Sequence, residues 1–262
     1  MSRPPQVPVR ATIAEAWRLL LAEPRRILLP SLVITVPVAF LMAVATTVGY
    51  LTIFDNEPLV LLNEISRNTA GALAFMLVAA AAIEVLFGQV ARGATVMAVA
   101  GVATGKPRSL AEALDPAFTR MGAIIAQAVV LAAVGGALIF SIVGLVIFPY
   151  VAARFALSTE SLLLEGRSAT SALAASWSLM RGRVIRLLGV ALLAALVCVG
   201  PLVLVSLLGL MVTGGRTQEL VTGAVVSVLQ AFLLVPVIGF LTTVTTLFYL
   251  KAKEIDGGKP AA

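Results

Sequence analysis

The chain has 262 residues, of which 60% are hydrophobic and only 12% are charged. Soluble domains carry about a quarter charged residues, so this charge is too sparse to cover a water-exposed surface. The net charge of +6 would suit nucleic-acid binding, but the placement of the basic residues, described below, favours a membrane and no nucleic acid. The composition therefore predicts an integral membrane protein.

Six apolar segments are long enough to cross a bilayer. About 20 helical residues, each rising about 1.5 Å, span a hydrocarbon core about 30 Å thick. The segments are Ile27–Leu51, Ala70–Val90, Met121–Phe140, Val143–Leu164, Val184–Val212 and Leu220–Leu250. The sequence predicts an all-α polytopic protein with one integral domain over residues 11–254 and tails at 1–10 and 255–262.

The basic residues alternate between the connecting segments. The opening MSRPPQVPVR has no short apolar run and no small-residue cleavage site after it, which predicts a loose cytoplasmic tail rather than a signal peptide. Lysines and arginines concentrate before residue 27, within 106–120, within 167–186 and after residue 250, whereas the alternate loops hold only Arg67 and Arg216. This asymmetry predicts that both termini are cytoplasmic.

Three short segments, starting at Thr12, Ser109 and Ser168, share one helical pattern. Apolar or small residues occupy positions i, i+3, i+4, i+7 and i+8. They are Ile13, Ala16, Trp17, Leu20 and Leu21; Leu110, Ala113, Leu114, Ala117 and Phe118; and Ala169, Ala172, Leu173, Ser176 and Trp177. Thr12 with Glu15 and Ser109 with Glu112 predict capping boxes, and Ser168 predicts a cap. The pattern predicts three repeats of an amphipathic inner helix followed by two spans.

Two interpretations of these amphipathic helices stay open. They lie in the headgroup plane, or they pack on the bundle as connectors, and a modest amphipathicity fits both. In the first case the predicted partners are membrane lipids, through anionic headgroups on the cytoplasmic side. The candidate lipid contacts are Trp17, Arg18, Trp177, Arg181 and Arg183. Protein partners cannot be read from the sequence.

The sequence contains no recognisable combination of catalytic residues. The chain has no histidine, which removes the commonest general base and histidine metal sites. Its one cysteine, Cys198, lies in an apolar run and suits a small buried side chain. The sequence therefore predicts no catalytic residues, no metal site and no cofactor.

Charged residues inside the spans form a candidate intramembrane polar network of Glu84, Arg92, Arg154 and Glu165. Glu84 reads as the only acid well inside a span, and Arg92 lies on the same helical face. Arg154 and Glu165 share a face of the fourth span. Such residues line a cavity or hold a headgroup, or they form a structural pair with arginines reaching towards the surface.

The depth of Arg154 depends on where the chain bends between the third and fourth spans. A bend near Gly135 places Arg154 close to the inner surface, and a bend near Pro149 places it deep in the membrane. The sequence leaves both positions open.

The stretch from Val151 to Val190 resembles a known family. Glu165-Gly166, Ser176-Trp177 and the basic residues from Arg181 to Arg186 match the bacterial membrane domain named after glycerophosphoryl diester phosphodiesterase, and the ending LFYLKAKEIDG is also similar. The family's enzymes carry a separate soluble barrel that uses histidines and metal-binding acids. The resemblance implies only the six-span membrane part.

These observations predict a non-enzymatic protein, a lipid-interacting scaffold or accessory in the bacterial cytoplasmic membrane. The alternative is a transporter or channel with a polar path near Glu84, Arg92 and Arg154. A membrane enzyme acting on lipid is the weakest interpretation, because no nucleophile is visible.

Overall fold

The structure is a computed structural model, and it describes residues 9–54, 67–139, 141–190, 192, 203–205, 207 and 216–257. All regular secondary structure within these ranges is helical. The helices are α1 (Val9–Ala22), α2 (Pro24–Phe54), α3 (Arg67–Ala103), α4 (Leu110–Thr119), α5 (Met121–Ile139), α6 (Ile142–Phe155), α7 (Ser158–Leu164), α8 (Ala169–Leu179) and α9 (Arg216–Ile255). Residues 184–190 are also helical.

Five helical stretches in the described part of the chain are long and apolar enough to cross a membrane. They are Pro24–Ala45, Leu86–Ala103, Met121–Ile139, Val146–Leu164 and Thr222–Ile255. They confirm the prediction of a helical membrane protein. Four of them match predicted segments closely, whereas Leu86–Ala103 overlaps the predicted segment Ala70–Val90 only at residues 86–90. The other segment, Val184–Val212, lies largely outside the described residues, so the count of six spans stays a prediction.

The three longest helices, α2, α3 and α9, pack along one another. The 37 residues of α3 and the 40 of α9 give lengths of about 55 and 60 Å, beyond the 30 Å or so of a hydrocarbon core. Helix α3 contains the whole predicted span Ala70–Val90 and continues beyond it to Ala103. Long helices of this kind have room for both a membrane-crossing part and a part covered by other helices.

The core lies at one end of this bundle, which we call the packed end. It comprises the C-terminal ends of α3 and α9, the start of α2, and the short helices α1, α4, α7 and α8. Its members are mostly aliphatic, with Phe248 and Tyr249 of α9 as buried aromatic members, and Val90 and Ala94 of α3 and Ala117 of α4 are fully buried. Close contact between these helices is possible because alanine and valine let the backbones approach.

The short helices α1, α4 and α8 coincide with the three segments predicted to be amphipathic. The capping box of Ser109 and Glu112 is confirmed at α4, and the Ser168 hydroxyl accepts the Ser171 backbone N–H at α8. The predicted box of Thr12 and Glu15 is wrong. Helix α1 already begins at Val9, inside the predicted tail, so Thr12 lies within the helix and is buried.

The bend between spans three and four, left open by the sequence, lies between Ile139 and Ile142, which is closer to Gly135 than to Pro149. Helix α5 ends at Ile139, and the Ser141 hydroxyl caps α6 by accepting the Gly144 backbone N–H at 2.8 Å. Gly135 and Pro149 lie inside α5 and α6. An added Cβ at Gly135 would lie 3.2 Å from the Phe148 ring, so this glycine permits a close contact between α5 and α6.

The predicted fourth span is a broken helix. Helix α6 ends at Phe155 and α7 begins at Ser158, with residues 156–157 in a turn that we call the break. Helix α7 then ends at Leu164, and Gly166 just beyond it has φ +69°. An added Cβ there would lie 2.9 Å from the Arg120 guanidinium, so a side chain at this position would be both strained and crowded.

Candidate functional site at the helix break

Ser176 of α8 satisfies the backbone on one side of the break. Its hydroxyl donates to the carbonyl of Arg154 at 2.8 Å and accepts the Leu157 backbone N–H at 3.2 Å. A helix break within an apolar span is tolerated only where the freed polar groups find partners inside the protein. Fully buried, Ser176 supplies both a donor and an acceptor at this point.

Arg92 of α3 satisfies a backbone carbonyl on the other side of the break. Its Nη2 donates to the Ala156 carbonyl at 2.6 Å and lies 3.3 Å from Oε1 of Glu160. The same Oε1 accepts a hydrogen bond from the Thr245 hydroxyl of α9 at 2.5 Å. Glu160 is fully buried, so its charge requires this compensation. The contact joins three elements, α3, α7 and α9, around one carboxylate.

The prediction that Glu84 is the only acid well inside a span is wrong. Glu160 falls in the predicted span Val143–Leu164 and is completely buried. The sequence signal was available, because an acid in an apolar segment is itself unusual. Glu84 belongs to α3, and its side chain lies outside the described residues.

Arg154 lies on the opposite face of the break, between aromatic rings. Its guanidinium carbon is 4.7 Å from the Trp177 ring centroid and 5.3 Å from that of Tyr150. It donates to the Trp177 carbonyl at 2.7 Å and to the Tyr150 hydroxyl at 2.8 and 3.1 Å. Among the residues that the structure describes, no carboxylate forms an ion pair with Arg154.

Glu165, the last member of the predicted network, forms a separate cluster. Its carboxylate accepts hydrogen bonds from the Tyr249 hydroxyl, from Lys253 Nζ at 2.6 Å and from Arg167 Nε at 2.5 Å. Burial raises the pKa of Glu165, but the hydrogen bonds outweigh it and hold the pKa below its ordinary value of 4.5. The predicted network is therefore not one site, because its three described members have different partners.

A cavity of about 340 Å³ adjoins this cluster at the packed end. Its lining residues are Arg167, Ala175, Ser178, Leu179, Tyr249, Lys253 and Asp256. Arg167 and Lys253 both bind Glu165, so the carboxylate already neutralises part of their charge. The cavity is thus the hollow of an ion-pair cluster rather than a concentration of unpaired charge.

The prediction that Arg183 contacts lipid is wrong. Arg183 is only 7% exposed, and its guanidinium forms two hydrogen bonds with Asp256, at 2.8 and 3.1 Å, and one with the Leu179 carbonyl at 2.9 Å. The paired guanidinium holds the pKa of Asp256 below its ordinary value of 3.8. Arg183 therefore ties α8 to the end of α9 and has no free face for a headgroup.

The other predicted lipid contacts are accessible. Trp17, Arg18, Trp177 and Arg181 are all exposed. Trp17 nevertheless has a partner, because its ring makes an edge contact with Phe240 of α9, with centroids 5.6 Å apart.

The three short helices share one arrangement of small and large residues. Ala16, Ala113 and Ala172 occupy the same position of the predicted repeat, and all three are buried. The position five residues later is exposed in each helix, and it holds a large apolar side chain: Leu21 at 64%, Phe118 at 47% and Trp177 at 41%. The helices thus pack on the bundle through small residues and present large apolar residues at their edge.

Comparison with known proteins gives no match: no protein-family model, no curated protein and no solved structure matches this chain. The resemblance to the glycerophosphoryl diester phosphodiesterase membrane domain stays a prediction. The residues and contacts described above are the basis for any functional conclusion.

Proposed function

We propose that this chain is a non-enzymatic, lipid-interacting scaffold or accessory of the bacterial cytoplasmic membrane. The observation that carries the proposal is the shared exposure of Leu21, Phe118 and Trp177 beside buried small residues. Monomeric proteins in water seldom repeat large exposed apolar residues at one position of successive helices. Contact with the headgroup and upper acyl region of a bilayer would cover these side chains.

Charge supports the same proposal. Exposed arginines accompany the exposed tryptophans, with Arg18 next to Trp17 and Arg181 shortly after Trp177. Tryptophan at headgroup depth, with a neighbouring cation, is typical of segments that bind anionic lipid surfaces. In this proposal the packed end lies on the cytoplasmic side, both termini are cytoplasmic and the chain has six spans. Reporter fusions at Asp55 and Ala262 would then report opposite sides of the membrane.

The absence of catalysis is also part of the proposal. The carboxylates of Glu160, Glu165 and Asp256 all bind cations of the same chain, which makes them structural partners rather than free acids or bases. If the chain is related to the phosphodiesterase membrane domain, it corresponds to the part without histidines. The purified protein should not hydrolyse glycerophosphodiesters with or without divalent metal, and metal-dependent turnover lost on a point substitution would contradict this.

Tryptophan fluorescence tests the lipid contact directly, because Trp17 and Trp177 are the chain's two tryptophans. Trp17→Phe and Trp177→Phe each leave one reporter in the protein. In vesicles of brominated phosphatidylglycerol, we expect quenching of both reporters, stronger with bromines near the headgroup than with bromines near the chain end. Acrylamide in the aqueous phase should quench both weakly.

The reverse result would remove the basis of the proposal. If acrylamide quenches both tryptophans strongly and brominated lipid quenches neither, the short helices face water and act only as connectors. Unbrominated vesicles of the same lipid are the control for changes caused by reconstitution alone.

The helix break favours a second candidate, a transporter. Interrupted helices surround the binding sites of many transporters, and a buried acid beside the interruption is a natural coupling group. Thr245, which binds Glu160, also lines an apolar cavity of about 260 Å³ together with Ala153 and Ala156.

Proton flux separates the two candidates. Proteoliposomes with a trapped pH dye should show no protein-dependent flux under our proposal, with wild type and Glu160→Gln alike. Flux in the wild type that is lost in Glu160→Gln would favour the transporter.

A further inference from the structure

The outward face of α6 carries a continuous stripe that ends in a cation. Val143, Ile147, Tyr150 and Arg154 follow one another at intervals of four, three and four residues, so they share one helical face. The first three are 69%, 43% and 42% exposed. The stripe is therefore apolar along most of its length, aromatic near one end and basic at that end.

Arg154 keeps binding capacity at the end of this stripe. Its hydrogen bonds go to a carbonyl and to a phenol hydroxyl, both neutral, and they use only part of the donors of a guanidinium. In the part of the chain that the structure describes, it has no carboxylate partner. A half-buried cation in a membrane protein is stabilised by an anion, and the planar guanidinium matches phosphate oxygens.

The aromatic neighbours fix the direction of this cation. Trp177 and Tyr150 are both about two-fifths exposed, and their rings hold the guanidinium at the α6–α8 contact. Aromatic rings of this kind concentrate where a bilayer changes from acyl chains to headgroups. The stripe thus has the polarity order of a phospholipid, with chain contacts first and a phosphate contact last.

The length of the stripe agrees with this order. From Val143 to Arg154 the helix rises about 16 Å, close to half of a hydrocarbon core about 30 Å thick. We infer that α6 binds one glycerophospholipid, with an acyl chain along Val143, Ile147 and Tyr150 and its phosphodiester on Arg154. This inference rests on the proposed lipid-interacting function and assigns it one specific site.

Native mass spectrometry of the full chain in detergent tests the site, with phosphatidylglycerol and diacylglycerol of the same acyl chains as probes. We expect Arg154→Gln to weaken phosphatidylglycerol binding about tenfold, as for loss of charge-assisted hydrogen bonds, while diacylglycerol binding stays unchanged. Arg26→Gln is the matched control, because it removes an exposed arginine whose charge is already paired with Glu23, and it should leave both affinities unchanged.

A purely structural role for Arg154 predicts a different result. Displacement of α8 would weaken both lipids equally, and that outcome would overturn the inference, as would unchanged phosphatidylglycerol binding in Arg154→Gln. Arg154→Lys retains the charge but not the planar guanidinium, so its affinity for phosphatidylglycerol should lie between those of wild type and Arg154→Gln. Such an intermediate value would show that the loss in the glutamine variant is not caused by misfolding.

Two further arms identify the source of the phosphate and isolate the acyl contact. Soluble glycerophosphoglycerol and inorganic phosphate should not displace the lipid at equal concentration, and displacement by either would mean a free-anion site.

Ile147→Asn should weaken the binding of long-chain phosphatidylglycerol but not of its dihexanoyl form, and equal effects on the two would contradict the acyl contact. Quenching of Trp17 by brominated lipid reports the general lipid contact, so it can persist when the Arg154 site fails.

Discussion

The two faces of the helix break hold their arginines in opposite environments. On the inner face, Arg92 pairs with the fully buried Glu160 and donates to the Ala156 carbonyl. On the outer face, Arg154 contacts two aromatic rings and neutral acceptors, with no carboxylate partner in the described structure. The charge of Arg92 is therefore compensated within the protein, whereas the charge of Arg154 is left for solvent or a bound anion to compensate. The difference separates a structural charge from a candidate binding charge.

The physical reason is the cost of an uncompensated buried charge. Glu160 has no exposed surface, so its ionised form requires a cation and hydrogen bonds within the protein. Arg154 lies at an accessible edge, where solvent or a lipid phosphate can complete its coordination. Substitutions at the two faces should consequently differ in both size and kind.

The largest expected effect follows from Glu160→Ala or Arg92→Ala. Each leaves the other charge without its partner, which costs about 3–5 kcal/mol for a buried pair. Denaturant unfolding in detergent, followed by circular dichroism, would measure the loss of each variant. The double variant should lose less than the sum of the two single losses, because no unpaired charge remains. Strict additivity would mean that these residues do not interact.

A smaller loss is expected from Ser176→Ala. The hydroxyl is fully buried and bonds both the Arg154 carbonyl and the Leu157 N–H, so its removal leaves two backbone groups of the break unpaired. Such a loss costs about 1–3 kcal/mol. Ser178→Ala is the matched control, because that serine is exposed and bonds only the Ala175 carbonyl of its own helix. Equal unfolding free energies for the two variants would contradict the role of Ser176 at the break.

Local sequence signals predicted much of the fold. The caps at Ser109 and Ser168 depend on residues three apart in the chain, and both are present. The burial of Ala113 and Ala172 follows from helical spacing, and three of the predicted segments, Ile27–Leu51, Met121–Phe140 and Leu220–Leu250, largely coincide with single membrane-length helices. These features are set by the segment itself and do not depend on which other helices it meets.

The site was predicted only in part because its contacts are distant in sequence. Arg92 was predicted to share a helical face with Glu84, but in the structure it pairs with Glu160, which lies 68 residues away in the predicted fourth span. Spacing also identified Ser176 as a buried position, but its hydroxyl matters because of a break that no proline or glycine marks at residues 156–157. Both contacts depend on how α8 and α3 pack on α6 and α7. The spacing of residues within a single segment does not predict that packing.

Acid should weaken a third contact, between Arg183 and Asp256, that lies away from the break. Because the folded-state pKa of Asp256 is lowered, its ionised form adds stability above the unfolded-state value of about 3.8. That contribution is lost as the pH falls through the lower folded-state pKa. Asp256→Asn should cost about 1 kcal/mol near neutral pH, since solvent screens an acid that is nearly half exposed.

Melting temperatures of wild type and Asp256→Asn from neutral pH down to about pH 3 would check this prediction, because the two curves should converge at the acid end. A constant difference at every pH would show that the asparagine disturbs packing rather than charge. Glu112→Gln on α4 is a control variant that reports the acid sensitivity of a carboxylate away from the Arg183–Asp256 contact, because Glu112 bonds Ser109 at an exposed helix cap.

The smallest expected effect on stability follows from Arg154→Ala, at about 0.5 kcal/mol. The stacking of a partly exposed cation on aromatic rings contributes little, and the Trp177 carbonyl and Tyr150 hydroxyl remain accessible to other donors. Unfolding under the conditions used for Arg92→Ala gives the direct comparison of the two faces. A loss as large as that of Arg92→Ala would mean that Arg154 holds α8 on α6, and the distinction between a structural and a binding arginine would then fail. A small loss together with weaker phosphatidylglycerol binding would sharpen it, because the two arginines would then differ in what they bind as well as in how deeply they are buried.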